Sequence, residues 1–174
     1  SDITILKVFT ILNYFTMGLL KNINPLLTAD LLYVLRSMGH GDKLIVCDCN
    51  FPAAEVATKT TSKKHIILTV PLPEALDAIC SILPLDFFVE TPVTYMAPSP
   101  GNELPPAGVE VLDAMKSAIR EHAPEANIGP IERFAFYEEA RSCYAVVQTL
   151  ERRPYGNAVL QKGVVGPDGK DLMP

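Results

Sequence analysis

The sequence predicts an α/β protein built on a layered sheet, and three observations support this prediction. Short helical stretches with an apolar face alternate with short β-prone runs along the chain. The length of 174 residues and a hydrophobic content of 48% are enough for one domain with one sizeable core. The run 43–47 is continuously β-prone, which is typical of a strand buried in the middle of a sheet.

The elements can be placed in order from caps, prolines and apolar spacing. Thr28 is predicted to cap a helix over 29–38, and Gly39 to end it in a left-handed conformation. Pro73 is expected to begin a second helix and Pro84 to stop it, and an extended proline-rich loop is predicted over 98–106. The remaining predicted helices cover 109–122 and 136–141, and the predicted strands cover 43–47, 66–70, 93–96, 144–149 and 158–161.

The first 16 residues are apolar but do not resemble a membrane span or a secretory signal. The apolar run is short and is interrupted by Lys7 and Asn13, and it has no basic start or small-residue cleavage site. We therefore expect residues 1–16 to be an extension outside the fold and residues 17–174 to form a single domain. A docked N-terminal helix is the alternative.

The charge of the chain argues against nucleic-acid and anionic-membrane partners. The formal net charge is −5, and phosphate binding requires clustered Lys and Arg. The doublets Lys63-Lys64 and Arg152-Arg153 are interpreted as solvated surface.

The four cysteines form no C-x-x-C pair. We interpret them as buried free thiols in a reducing compartment, with Cys47 and Cys49 on one face of a strand, rather than as metal ligands or a disulfide. A cytoplasmic protein without a metal site is the resulting expectation.

Three polar clusters follow the ends of apolar elements, where functional groups are usually displayed. The first is Gly39-His40-Gly41-Asp42, in which an uncrowded imidazole could both give and take a proton. The second follows the central strand, where Asp48 could bind sugar hydroxyls beside the apolar ring of Phe51. A capping histidine and a plain turn are the respective alternatives.

The third cluster is divided between two segments. Arg133 lies in the segment 133–138, together with Tyr137, and Tyr155-Gly156-Asn157 follows later in the chain. Arg donates only, so it would bind hydroxyls or a ring oxygen as acceptors, and Gly156 would permit close approach of a ligand. Alternatively Phe134 and Phe136 are core, Arg133 pairs with a surface acid, and 155–157 is a turn.

Taken together, these segments resemble the RbsD/FucU family of sugar mutarotases, from about Leu20 to Val165. The resemblance is carried by Asn24-Pro25-Leu26-Leu27, Met38-Gly39-His40-Gly41-Asp42, Asp48, Phe51-Pro52, Arg133-Phe134-Ala135-Phe136-Tyr137-Glu138 and Tyr155-Gly156-Asn157. The family implies a three-layer α/β/α fold with a mixed sheet, and a homo-oligomer, commonly a decamer of pentameric rings.

The resemblance also implies a role for each matching residue. His40 matches the catalytic proton donor, and Asp48, Arg133 and the segment 155–157 match substrate-binding positions; Tyr137 is a possible proton shuttle. Arg133 is typical of the fucose branch, since the ribose branch tends to have histidine there. The expected activity is therefore cofactor-free anomer interconversion of L-fucose. A D-ribose pyranase and a non-catalytic sugar-binding module remain as alternatives.

Overall fold

The fold was analysed in a computed structural model that describes residues 18–174, so the expected extension over 1–16 lies outside the described residues. In chain order the elements are α1 (Ala29–Ser37), β1 (Lys43–Cys47), α2 (Ala53–Ala57), β2 (His65–Ile67), α3 (Leu72–Cys80), β3 (Val93–Ala97), α4 (Pro106–His122), β4 (Ile128–Glu132), α5 (Arg133–Arg141), β5 (Ala145–Gln148) and β6 (Ala158–Gln161).

The six strands form one mixed sheet in the order β2-β5-β1-β6-β3-β4. β6 is antiparallel to both of its neighbours, β1 and β3, whereas the other pairs in this sheet are parallel. Val46 near the end of β1 therefore pairs with Ala158 at the start of β6, and Lys43 pairs with Gln161 at the opposite end. The two ends of this strand pair thus gather residues that are far apart in the sequence.

Helices cover both faces of the sheet, which confirms the predicted three-layer α/β/α arrangement. Alternation along β1 directs Leu44 and Val46 into a core shared with α1, α3 and α4. Ile45 and Cys47 point to the opposite face, where they pack with residues of α2 and α5. The central strand is buried on both sides, as its continuous apolar run predicted.

The helix before His40 is confirmed, but its ending differs from the prediction. The Thr28 hydroxyl accepts a hydrogen bond from the Leu31 backbone at 3.3 Å and so caps α1. The left-handed residue that follows is Gly41, with φ +85°, and not Gly39. The chain leaves α1 through an extended Met38, so the sharp turn falls one residue after His40.

Other differences concern short or proline-containing elements. α4 begins at Pro106, which was predicted to end an extended loop, and so starts three residues earlier than expected. The fixed φ of proline suits the first helical turn. The edge strand β4 was not predicted, since Gly129 and Pro130 are atypical of strands, although an edge tolerates proline. The five-residue α2 was also missed.

The cysteines are free, and three of them are buried. The expectation for Cys49 was wrong, because β1 ends at Cys47 and Cys49 lies exposed in the following turn. Burial raises the pKa of the Cys80 and Cys143 thiols to about 12, which makes them unreactive near neutrality. Over residues 18–174, no helix combines the length and apolar character needed to cross a membrane.

Two phenylalanines on α5 should differ sharply in their contribution to stability. Phe136 is fully buried between α5 and the sheet, whereas Phe134 is 66% exposed, so the interpretation of both as core holds only for Phe136. We expect Phe136→Ala to lower the free energy of unfolding by about 3–5 kcal/mol in a denaturant titration. Phe134→Ala, the matched control, should change it by less than about 0.5 kcal/mol. Equal effects would contradict this packing.

Candidate functional site

A polar cleft of about 280 Å³ lies where β1 ends and β6 begins. The antiparallel pairing of these strands brings two distant segments together there, and the start of α5 adds a third. The cleft is lined by Asp48, Asn50, Phe51, Met96, Arg133, Tyr137, Pro154, Tyr155 and Asn157. Five residues predicted from the sequence therefore meet in one place: Asp48, Arg133, Tyr137, Tyr155 and Asn157.

Asp48 is held at the floor of the cleft by a reciprocal pair of hydrogen bonds. Its backbone N–H donates to the Asn157 side-chain oxygen at 3.1 Å, and the Asn157 amide donates to Asp48 Oδ2 at 2.9 Å. The Asn50 backbone donates to Asp48 Oδ1. Burial raises the pKa of Asp48, and the negative charge of Glu151 adds to this, while the hydrogen bonds only partly oppose it.

An aromatic wall and an exposed guanidinium form the side of the cleft. The rings of Phe51 and Tyr137 are stacked, with centroids 5.3 Å apart and planes inclined by 22°. The Arg133 guanidinium carbon lies 6.0 Å from the Tyr137 ring centroid and 5.7 Å from that of Phe134. A flat apolar surface beside a fork of donors suits a ligand that has both C–H faces and hydroxyl acceptors.

The segment 155–157 enters the cleft through a left-handed backbone conformation at Tyr155. Tyr155 adopts φ +65°, a left-handed conformation that non-glycine residues rarely adopt. Gly156 is buried, and a Cβ added there would lie 2.8 Å from Glu151 Cγ. The close approach at Gly156 is therefore made by Glu151, and the residues on either side of it face the cleft.

His40 lies at the opposite end of β1, beside a buried carboxylate. Its Nε2 is 3.1 Å from Asp86 Oδ2, while the imidazole itself is exposed at the edge of an apolar groove of about 650 Å³. Asp86 also accepts hydrogen bonds from the Gln161 side chain at 2.8 Å and from the Phe88 backbone at 3.1 Å. Burial raises the pKa of Asp86, but these bonds and His40 outweigh it, so the pKa lies below its usual value.

The chain does not bring His40 to the cleft. The five residues of β1 separate the His40 turn from Asp48, which corresponds to about 17 Å at the usual rise of a strand. The predicted residues therefore form two groups, one at each end of the β1–β6 pair.

Two residues with well-defined partners were missed by sequence reasoning. Asp86 lies in an apolar stretch with no motif to single it out. Glu151 precedes the Arg152-Arg153 doublet, which was interpreted as solvated surface. That interpretation was wrong for Arg153, which is half-buried and forms a two-pronged ion pair with the buried Glu151. An acid placed beside two arginines was the available signal.

Comparison with known proteins now identifies the family. Residues 21–165 match the profile of the RbsD / FucU transport protein family. The chain belongs to the RbsD/FucU family. A fucose mutarotase from Danio rerio is 40% identical over 152 residues, which cover 87% of this chain and 98% of that protein.

Two solved structures in the same family share the fold. The fucose mutarotase of Streptococcus pneumoniae, solved in complex with L-fucose, is 34% identical with a TM-score of 0.74, covering 84% of this chain and 100% of its own. RbsD of Bacillus subtilis, solved with D-ribose, is 20% identical with a TM-score of 0.64, covering 85% and 100%. The latter likeness concerns the fold alone.

The pKa values of the two buried aspartates, Asp48 and Asp86, should be shifted in opposite directions from that of an ordinary aspartate. We expect the Asp48 carboxyl to titrate above, and the Asp86 carboxyl below, the ordinary aspartate value of about 3.9. Carboxyl carbon NMR over a pH series measures both, with Asp48→Asn and Asp86→Asn assigning the signals. A common titration near the ordinary value would show that neither environment is as described.

Proposed function

We propose that this protein is an isomerase that interconverts the α and β anomers of a pyranose, with L-fucose as the preferred sugar. The observation that carries the proposal is the 40% identity to a fucose mutarotase over nearly the whole of that protein. The cleft around Asp48 supports it, because its amide, carboxylate, guanidinium and aromatic groups suit a neutral polyhydroxylated ring. We assign the mutarotase domain to residues 17–174 and place the protein in the cytoplasm, in keeping with its free thiols.

The reaction requires two proton transfers. In the proposed mechanism protonated His40 donates to the ring oxygen as the bond to the anomeric carbon breaks, and the bonding electron pair stays on that oxygen. The anomeric hydroxyl loses its proton to water, either directly or through Tyr137 as the candidate shuttle, whose hydroxyl accepts this proton while passing its own to water, and an open-chain aldehyde forms. Rotation of the aldehyde and the reverse transfers close the ring on the other face. This chemistry needs no metal or cofactor, because a positioned acid–base group contributes about 10²–10⁴-fold.

Asp86 has a supporting role in this mechanism. A buried carboxylate 3.1 Å from Nε2 orients the imidazole. Gln161 and the Phe88 backbone hold the carboxylate in place, so that His40 meets the sugar in one orientation. Asp48, Arg133, Tyr155 and Asn157 bind the sugar in this proposal, and Gly156 shapes the segment that carries two of them.

The distance between His40 and the cleft supports a site shared between two copies of the chain, if both groups act on one sugar. One pyranose ring cannot reach both groups across about 17 Å of strand. We therefore propose that His40 of one subunit completes the cleft of a neighbour in a homo-oligomer, a decamer of pentameric rings. Exposed apolar residues near His40 support a contact there: Ile82, Phe88, Val89 and Val165.

Exchange NMR with L-fucose, D-ribose, D-galactose and D-glucose tests the activity. We expect L-fucose to show the largest enzyme-dependent acceleration of exchange between its anomers. Fastest exchange of D-ribose would favour a ribose pyranase, although the arginine at 133 speaks against it. Sugar binding without accelerated exchange would favour a non-catalytic module and refute the proposal.

Replacing His40 should abolish most of the catalysed exchange. We expect His40→Ala to lower the exchange rate by about 10²–10⁴-fold, because the proton donor is lost, with little change in thermal stability since the ring is exposed. His122→Ala is the matched control, since His122 also pairs with an aspartate, Asp77, at 2.7 Å. Near wild-type exchange in folded His40→Ala would refute the role of His40.

Mixing two inactive variants tests the shared site. His40→Ala removes the proton donor and Asp48→Ala removes the carboxylate of the cleft. After subunit exchange in a 1:1 mixture, about a quarter of the shared sites should contain both an intact His40 and an intact Asp48. Exchange NMR should then show activity that neither variant has alone. An active monomer, or mixed oligomers without recovered activity, would contradict a site shared between subunits.

A further inference from the structure

Glu151 is a buried carboxylate at the centre of the loop between β5 and β6, and it is only 4% exposed. Its Oε1 accepts hydrogen bonds from the backbones of Arg152 and Arg153 at 3.1 and 3.0 Å. The Arg153 guanidinium adds a two-pronged contact, with Nε 2.8 Å from Oε1 and Nη2 2.7 Å from Oε2. Paired charge-assisted bonds of this kind fix geometry as well as contribute energy.

Glu151 also touches both segments that form the cleft. Its carbonyl oxygen accepts a hydrogen bond at 2.9 Å from the backbone of Cys49, the residue after Asp48. Its Cγ packs so closely on Gly156 that a Cβ there would lie 2.8 Å away. Gly156 is the residue between Tyr155 and Asn157, so Glu151 contacts the backbone on both sides of the cleft, through its main-chain carbonyl at Cys49 and its side chain at Gly156.

The backbone at Tyr155 needs such support. The left-handed conformation of Tyr155 is strained for a non-glycine residue and persists only where its surroundings fix it. The packing of Glu151 on Gly156 and the Asn157–Asp48 bonds act on the two residues that follow Tyr155. Loss of the Glu151 packing would remove one of these two restraints on Tyr155.

We infer that the Glu151–Arg153 ion pair is a positioning device for sugar binding, which sets Tyr155, Asn157 and Asp48 at their places in the cleft. Glu151 does not touch the sugar and acts through these three residues. The inference rests on the proposed function and assigns Glu151 to the binding of substrate rather than to proton transfer. A pure stabilising role would alter the folded fraction but leave the affinity of the folded protein unchanged.

The test compares Glu151→Gln and Arg153→Lys with the wild type. Exchange NMR over a range of L-fucose concentrations yields KM and kcat, and thermal unfolding measures the folded fraction. We expect KM to rise about tenfold in Glu151→Gln, with kcat per folded protein changed by less than about threefold. Arg153→Lys keeps the positive charge but not the two-pronged guanidinium contact. Its KM should therefore lie between those of the wild type and Glu151→Gln. If Glu151→Gln does not fold, the KM of Arg153→Lys, which keeps the buried carboxylate, decides the inference.

A second readout checks that the charge of Glu151 acts at the cleft, and a matched control separates positioning from a general loss of stability. Burial dominates the raised pKa of Asp48, but the charge of Glu151 contributes to it, so Glu151→Gln should move the Asp48 titration to lower pH. Asp77→Asn breaks the Asp77–His122 contact between α3 and α4, on the opposite face of the sheet, and should leave KM and this titration unchanged.

Unchanged KM in folded variants overturns the inference. A wild-type protein that accelerates no anomer exchange refutes the proposed function instead. In that event, sugar affinity measured by titration calorimetry decides the inference: a tenfold weaker affinity in Glu151→Gln supports it, and an equal affinity overturns it.

Discussion

The reciprocal hydrogen bonds between Asp48 and Asn157 are the interaction on which the cleft depends. They join the end of the central strand to the start of its antiparallel neighbour, so the two segments are held by side chains as well as by the strand ladder. A buried carboxylate with a raised pKa is retained at this junction. Its desolvation opposes folding at neutral pH, which is the usual compromise at a functional site.

The strand β6 connects the two groups of candidate site residues. Asn157 precedes it and contacts Asp48, whereas Gln161 ends it and donates to Asp86, the partner of His40. Because β6 runs antiparallel to β1, a single four-residue strand contacts the candidate site residues at both ends of the strand pair. If β6 ran parallel to β1, the starts of both strands would lie at the same end of the sheet, and β6 would not join Asp48 to Asn157 at one end and Asp86 to Gln161 at the other.

Much of the fold and of the cleft could be predicted from the sequence, because long apolar patterns and capping residues are local signals. The helix over 29–38 and the central strand are examples, whereas Asp48 and Asn157 were grouped through the family resemblance rather than through a local signal. The edge strand β4 could not, since its pairing with β3 is a long-range contact that overrides the presence of Gly129 and Pro130. Asp86 and Glu151 were missed because their importance comes from burial and partners, which only the tertiary fold creates.

The exposure of Cys49 has a practical consequence. The other three thiols are buried, and Cys49 alone among the four is open to solvent, between Asp48 and Asn50 of the cleft lining in the chain. A thiol-reactive fluorophore should therefore attach at this one position in the folded protein. Its emission would report occupancy of the cleft directly, so that binding could be followed in real time without any change to the amino-acid sequence.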